Sequence, residues 1–163
     1  MTATIRIAPV RKSIRVQASP LAAFEFFTAG MDRWWPKSHG IGRAPIRRCV
    51  LEPFIGGRWY NELTDGSEVT VGHVRAWEPG RRFVVGWEIT AQWQPEARTA
   101  LASEVEVRFI PDADTHTRVE VEHRDFERME EGAETMRGAV ENGWPGLLEL
   151  FAQGLTRSGA GAS

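Results

Sequence analysis

The sequence has little cysteine, no long apolar run and no excess of charge of either sign. One cysteine, Cys49, stands among 163 residues, so no intrachain disulfide and no thiolate metal cluster can form. A single thiol fits a reducing compartment. Cys49 lies between Arg48 and Val50 at the start of a strand pattern, where a small buried apolar role outweighs a nucleophilic one. Twenty Lys and Arg stand against 22 Asp and Glu, a net charge of -2, which leaves no basic field for nucleic acid or an anionic membrane. The pairs Arg47-Arg48 and Arg81-Arg82 fall near predicted turns and read as solvated. No segment reaches the ~20 apolar residues a spanning helix needs. The start, MTATIRIAPVRK, lacks the apolar centre of a secretory signal. These absences predict a cytoplasmic protein with no nucleic-acid partner and no membrane insertion.

Motifs of chemistry are missing as well. Gly56-Gly57 precedes a strand and no Gly-Lys-Ser/Thr follows, so it is no phosphate loop. There is no GxSxG and no HExxH, and the four histidines are not closely paired. The expectation is no cofactor, no metal and no demonstrable catalytic set.

Tryptophan is what the chain does have. Of seven, Trp59, Trp77 and Trp87 fall between Leu51 and Ile89, and Trp93 follows closely. That stretch reads as antiparallel strands joined by short turns. Asp65-Gly66 suits a hairpin, and Pro79-Gly80 suits a type II turn. Strands are predicted over Val10–Gln17, Ile46–Pro53, Gly57–Leu63, Glu68–Trp77, Phe83–Thr90, Glu104–Ile110 and Thr117–Arg124. In the last two, Val105, Val107, Phe109, Val119, Val121 and His123 face one way while Glu and Arg face the other. That is a sheet with one buried and one wet face, with opposite charges free to pair across the wet one. For the strand holding His73 the pattern does not rank the two faces. Nor does it choose between Trp59/Asn61 and Arg58/Tyr60 as the inward pair.

Two short helices follow the first strand. Ser19 caps the first and Pro20 opens it, with Ala23, Phe24 and Phe27 on one face. The second covers Asp32 to Trp35, before Pro36. Near the C-terminus, Met136, Val140, Trp144, Leu147, Leu148, Phe151 and Leu155 form one apolar helical stripe. Pro145 interrupts it and predicts a kink or restart near Asn142-Gly143. Residues 1–157 read as a single domain and 158–163, SGAGAS, as a disordered tail. The fold class is α+β, a sheet burying one long amphipathic helix.

The ordered set ASPLAAFEFFT, WWP, EPFIGGRWY, DGSE, GHVRAWEPGRRFVVGWE and ENGWPGLLELF resembles the START-like (SRPBCC, birch-pollen-allergen-like helix-grip) superfamily. Within it, the chain resembles the branch related to the C-terminal domain of heat-shock-protein-90 ATPase activators. The resemblance spans Val10 to Leu155. It implies a seven-stranded curved antiparallel sheet wrapped around the C-terminal helix, with an apolar cavity between them. It implies no shared reaction, since members bind lipids, hormones or polyketides and some are cyclases or dehydratases. The eukaryotic co-chaperones carry a separate N-terminal domain whose Asn- and Trp-rich motif this sequence lacks, so chaperone activation is not the leading expectation.

The leading expectation is an apolar small-molecule ligand in that cavity, with Trp35, Trp59, Asn61, Trp87, His123, Trp144 and Leu148 as candidate binding residues. Homodimer formation is compatible with it. One alternative is a cyclase or dehydratase using His123 as acid/base; another is a stress-linked, chaperone-interacting protein. Against a catalytic role, His123 reads better as a core histidine bonded to backbone.

Overall fold

The computed structural model describes residues 7–159. Among these, seven strands form one antiparallel sheet in the order β1-β7-β6-β5-β4-β3-β2. They are β1 (Val10–Val16), β2 (Ile46–Leu51), β3 (Arg58–Leu63), β4 (Glu68–Glu78), β5 (Arg82–Trp87), β6 (Ser103–Pro111) and β7 (Thr117–Arg124). Helix α1 (Pro20–Thr28) follows β1, and helix α2 (Ala133–Ser158) closes the described chain and packs along the inner face of the sheet. This is the α+β helix-grip fold.

The turns behave as their residues require. Gly66 and Gly80 adopt φ of 87° and 75°, which glycine takes without steric cost. Ser19 caps α1 by accepting from the Ala22 N–H at 3.1 Å. The expected second helix is shorter and earlier than its pattern, a 3-10 turn over Met31–Arg33. Helix α1 buries more than one face: Phe24 and Phe27 meet Phe83 and Phe109 of the sheet, while Phe26 reaches Phe151 of α2. It is wedged between the two layers.

Strand β4 resolves the ambiguity around His73. Its register shifts opposite Trp59/Tyr60 and again between Val74 and Ala76. The slips let Val69, Val71 and Val74 all turn inward, although strict alternation would separate Val71 from Val74. His73 faces outward and pairs with Glu88 at 2.9 Å. At the first slip, β4 and β5 come so close that a Cβ on Gly72 would sit 1.8 Å from the Gly86 carbonyl oxygen.

Charges cover the convex face. Arg124 contacts Glu104, Glu106 and Glu122, and Arg82 and Arg108 also reach Glu106. Burial pushes the Glu106 carboxyl up, but hydrogen bonds and charges from Arg108 and Arg124 more than offset this, leaving its pKa at about 2.

Pro145 corrects the expectation of a restart near Asn142-Gly143. Helix α2 is continuous through it. Pro145 lies on the exposed face, with Trp144, Leu147 and Leu148 buried on the other. The carbonyl of Glu141, one turn back, loses its helical donor on the solvent side, where water can replace it. The buried stripe therefore outweighs the local loss. The helix also runs one residue into the expected tail, to Ser158; residues 160–163 of that tail lie outside the described residues. No helix among the described residues is long and apolar enough to cross a membrane.

Candidate functional site: a tryptophan-walled cavity

Strand β3 settles its own alternation by turning Trp59, Asn61 and Leu63 inward. Trp87 on β5 also points inward, and α2 contributes Trp144. Trp35 enters from the segment after the 3-10 turn. Their indoles form a closed ring of contacts. Trp35 lies 5.4 Å from Trp59, Trp59 5.7 Å from Trp87, Trp87 6.0 Å from Trp144, and Trp144 6.5 Å from Trp35. Edge-to-face and tilted pairs at these separations are favourable beyond their buried area.

Beside this ring lies a cavity of about 300 Å³ between the sheet and α2. Its walls are largely apolar, and its exposed lining residues are Ser38, His39, Gly40, Gly143 and the half-exposed Trp93. Trp93 holds φ at 60°, an uncommon value for so bulky a residue.

Five of the seven candidate residues line the cavity: Trp35, Trp59, Asn61, Trp87 and Trp144. Leu148 is not in the lining; it lies in the core one position beyond Leu147, which is. His123 is not in the lining either. It is fully buried, accepts from Trp144 Nε1 through Nδ1 at 3.2 Å, and meets Ser103 Oγ through Nε2 at 2.9 Å. It is a core histidine, as its sequence setting favoured, but its partners are side chains rather than backbone. Burial pushes its pKa down to about 3. A neutral ring with both nitrogens engaged is poorly placed for acid/base work. Cys49 is buried too, and burial pushes its thiol up to about 11, which keeps it unreactive.

The alternation Phe83, Val85, Trp87, Ile89 could have marked Ile89 as a wall residue, and the α2 stripe could have marked Val140 and Leu147. Nothing in the sequence pattern marks His39, Ile41 or Trp93, because a loop carries no periodicity. His39 is the sole titratable side chain in the lining.

The cavity carries an unusual polar deficit. Trp34, Trp35 and Trp144 donate their indole N–H groups to Phe27 O, His39 O and His123 Nδ1. Trp59 and Trp87 do not. Among the described residues, the buried side-chain polar atoms without a hydrogen-bond partner are Trp59 Nε1, Trp87 Nε1 and Asn61 Oδ1. All three belong to cavity-lining residues. Each such atom costs about 1–3 kcal/mol when left unpaired.

A curved seven-stranded sheet gripping a C-terminal helix around an apolar cavity defines a protein of the START-like superfamily. The chain belongs to the family described as activator of Hsp90 ATPase homolog 1-like protein, whose model matches residues 17–156. Among solved structures, it is similar to an anthrahydroquino-γ-pyrone synthase, Txn09, at 37% identity over 91% of this chain and 97% of that one, with a TM-score of 0.64. It is also similar to CalC from Micromonospora echinospora, a self-sacrificing resistance protein, at 31% identity over 93% and 96%, with a TM-score of 0.65. CalU16 from the same organism shares the fold at 22% identity, covering 94% of this chain and 87% of that one, with a TM-score of 0.58. No curated protein matches the sequence.

Proposed function

We propose that the protein binds a flat, largely apolar aromatic ligand in the cavity between its sheet and α2. The observation that carries this reading is the ring of four indoles beside about 300 Å³ of mostly apolar space. That volume is about twice the ~150 Å³ that holds one benzene, so it suits fused rings. The 37% identity to a protein named as a synthase of a fused aromatic pyrone supports the same ligand class. A reducing, cytoplasmic setting fits the buried free Cys49.

Titration with a panel of fused aromatic ketones, followed by tryptophan fluorescence, tests the reading. Saturable quenching is expected. Ala139→Trp places an indole in the lining and should abolish it with unchanged circular dichroism. No saturable response from any panel member would overturn it.

The likeness to a synthase also favours a second reading, ring closure of a ligand held in the same cavity. His39 would then be the proton-transfer group, since His123 does not line the space. A His39→Gln variant should keep binding and lose turnover.

A further inference from the structure

We infer that the cavity recognises an oxygenated aromatic ligand: a ring carbonyl oxygen accepts from the Trp59 and Trp87 indoles, and a hydroxyl elsewhere on the ligand donates to Asn61. The inference rests on the ligand-binding reading above and adds the polar pattern of the ligand.

Five buried tryptophans sit around this core, and the fold supplies an acceptor for three of them. The two left over, Trp59 and Trp87, are in contact with each other at 5.7 Å and both line the cavity. Neighbouring aromatic faces are weak acceptors and do not replace a carbonyl. Asn61 is the third unpartnered group. It lies two residues from Trp59 on the same inward face of β3, so the two side chains start roughly 7 Å apart. That separation matches a carbonyl and a hydroxyl at opposite ends of a two-ring system. Orphaned buried polar groups are rare in folded proteins and call for a specific cause. Three on side chains that line one cavity point to a ligand that completes them. A purely apolar ligand would leave all three unpaired, and a site of this kind discriminates strongly against analogues lacking the matching group.

Isothermal titration calorimetry with tetralin, α-tetralone and 6-hydroxy-α-tetralone tests this directly. The series holds the ring system constant and adds first the carbonyl, then the hydroxyl. The wild-type protein should bind each successive compound about tenfold more tightly. Trp59→Phe and Trp87→Phe keep the aromatic walls and remove the N–H donors. They should collapse the ketone preference, read within each variant as the ratio of α-tetralone to tetralin affinity. Asn61→Leu should collapse the hydroxyl step alone. Equal wild-type affinity for all three compounds, or an unchanged ketone preference in a folded Trp→Phe variant, overturns the inference and leaves the cavity reading standing. Absence of binding for all three, tetralin included, overturns both. The wild-type series decides even if a variant fails to fold.

Discussion

Trp144 Nε1 donates to His123 Nδ1 at 3.2 Å, tying the middle of α2 to strand β7. The contact requires a neutral imidazole, because a protonated ring has no acceptor nitrogen. The proton then sits on Nε2, facing Ser103 Oγ at 2.9 Å. One titratable side chain thus joins the helix to the sheet, and its charge state governs whether they can stay joined.

Stability should therefore fall with acid earlier than the carboxylates alone would cause. His123 has a folded pKa of about 3 against an ordinary 6.5, so between these values the unfolded chain binds more protons. Its contribution is complete above pH 6.5 and is lost as pH falls toward 3, at up to about 1.4 kcal/mol per unit. Glu106 has its own pKa lowered from 4.5 to about 2, so its loss comes below 4.5. Urea unfolding between pH 7 and 4.5 should show the slope in wild type and a much flatter one in His123→Leu.

His123→Leu should also be destabilised at neutral pH by about 2–4 kcal/mol, because it leaves Trp144 Nε1 and Ser103 Oγ unpaired in the core. Chemical denaturation at pH 7 measures this. An unchanged midpoint would mean the two partners re-pair elsewhere.

The tryptophans should divide into two groups on substitution by phenylalanine. Trp144→Phe removes a satisfied bond and orphans His123, and should cost about 2–3 kcal/mol. Trp59→Phe and Trp87→Phe lose some packing and also remove an unpaired donor, so each should fall within about 1 kcal/mol of wild type. Thermal melts of the ligand-free protein distinguish the groups.

Gly72→Ala should prevent folding or cost more than about 3 kcal/mol. Its Cβ would meet the Gly86 carbonyl oxygen at 1.8 Å, and backbone at a strand crossing cannot yield. Gly146→Ala is the control. Its Cβ would meet open space in α2, and it should stabilise by about 0.5–1 kcal/mol.

Pro145→Ala should raise the melting temperature. It returns an N–H to the Glu141 carbonyl on the exposed face of a helix that is already continuous through this position, for a gain of about 1–3 kcal/mol. A fall would indicate that the ring packs against something on that face.

Much of the fold was legible because its signals are local. Each strand of the β6–β7 pair carries a full alternation, and Gly66 and Gly80 mark turns that other residues would resist. The C-terminal stripe named its buried residues correctly. What misled was locality itself. Pro145 permits a restart when only its own peptide is considered, and β4 reads as faceless because two slips of register interrupt its period. Five of the cavity's wall residues were candidates from the sequence as aromatics or an amide, but the inward turn of Trp59 and Asn61 is decided only by the fold. Leu148 and His123 shared the same inward signal, and periodicity cannot separate a side chain facing a void from one facing another side chain.

The element order, the two-faced sheet and the amphipathic helix are written in the spacing of apolar residues along the chain; that Trp59 turns inward with Asn61 is not. Tertiary structure alone decided which tryptophans have partners. A hydrogen bond needs two groups within about 3 Å, and the partners of Trp34, Trp35 and Trp144 come from a neighbouring helix, a loop and a distant strand. Trp59 and Trp87 are left without one at the cavity for the same reason: no acceptor of the described chain comes within hydrogen-bond distance of either indole N–H.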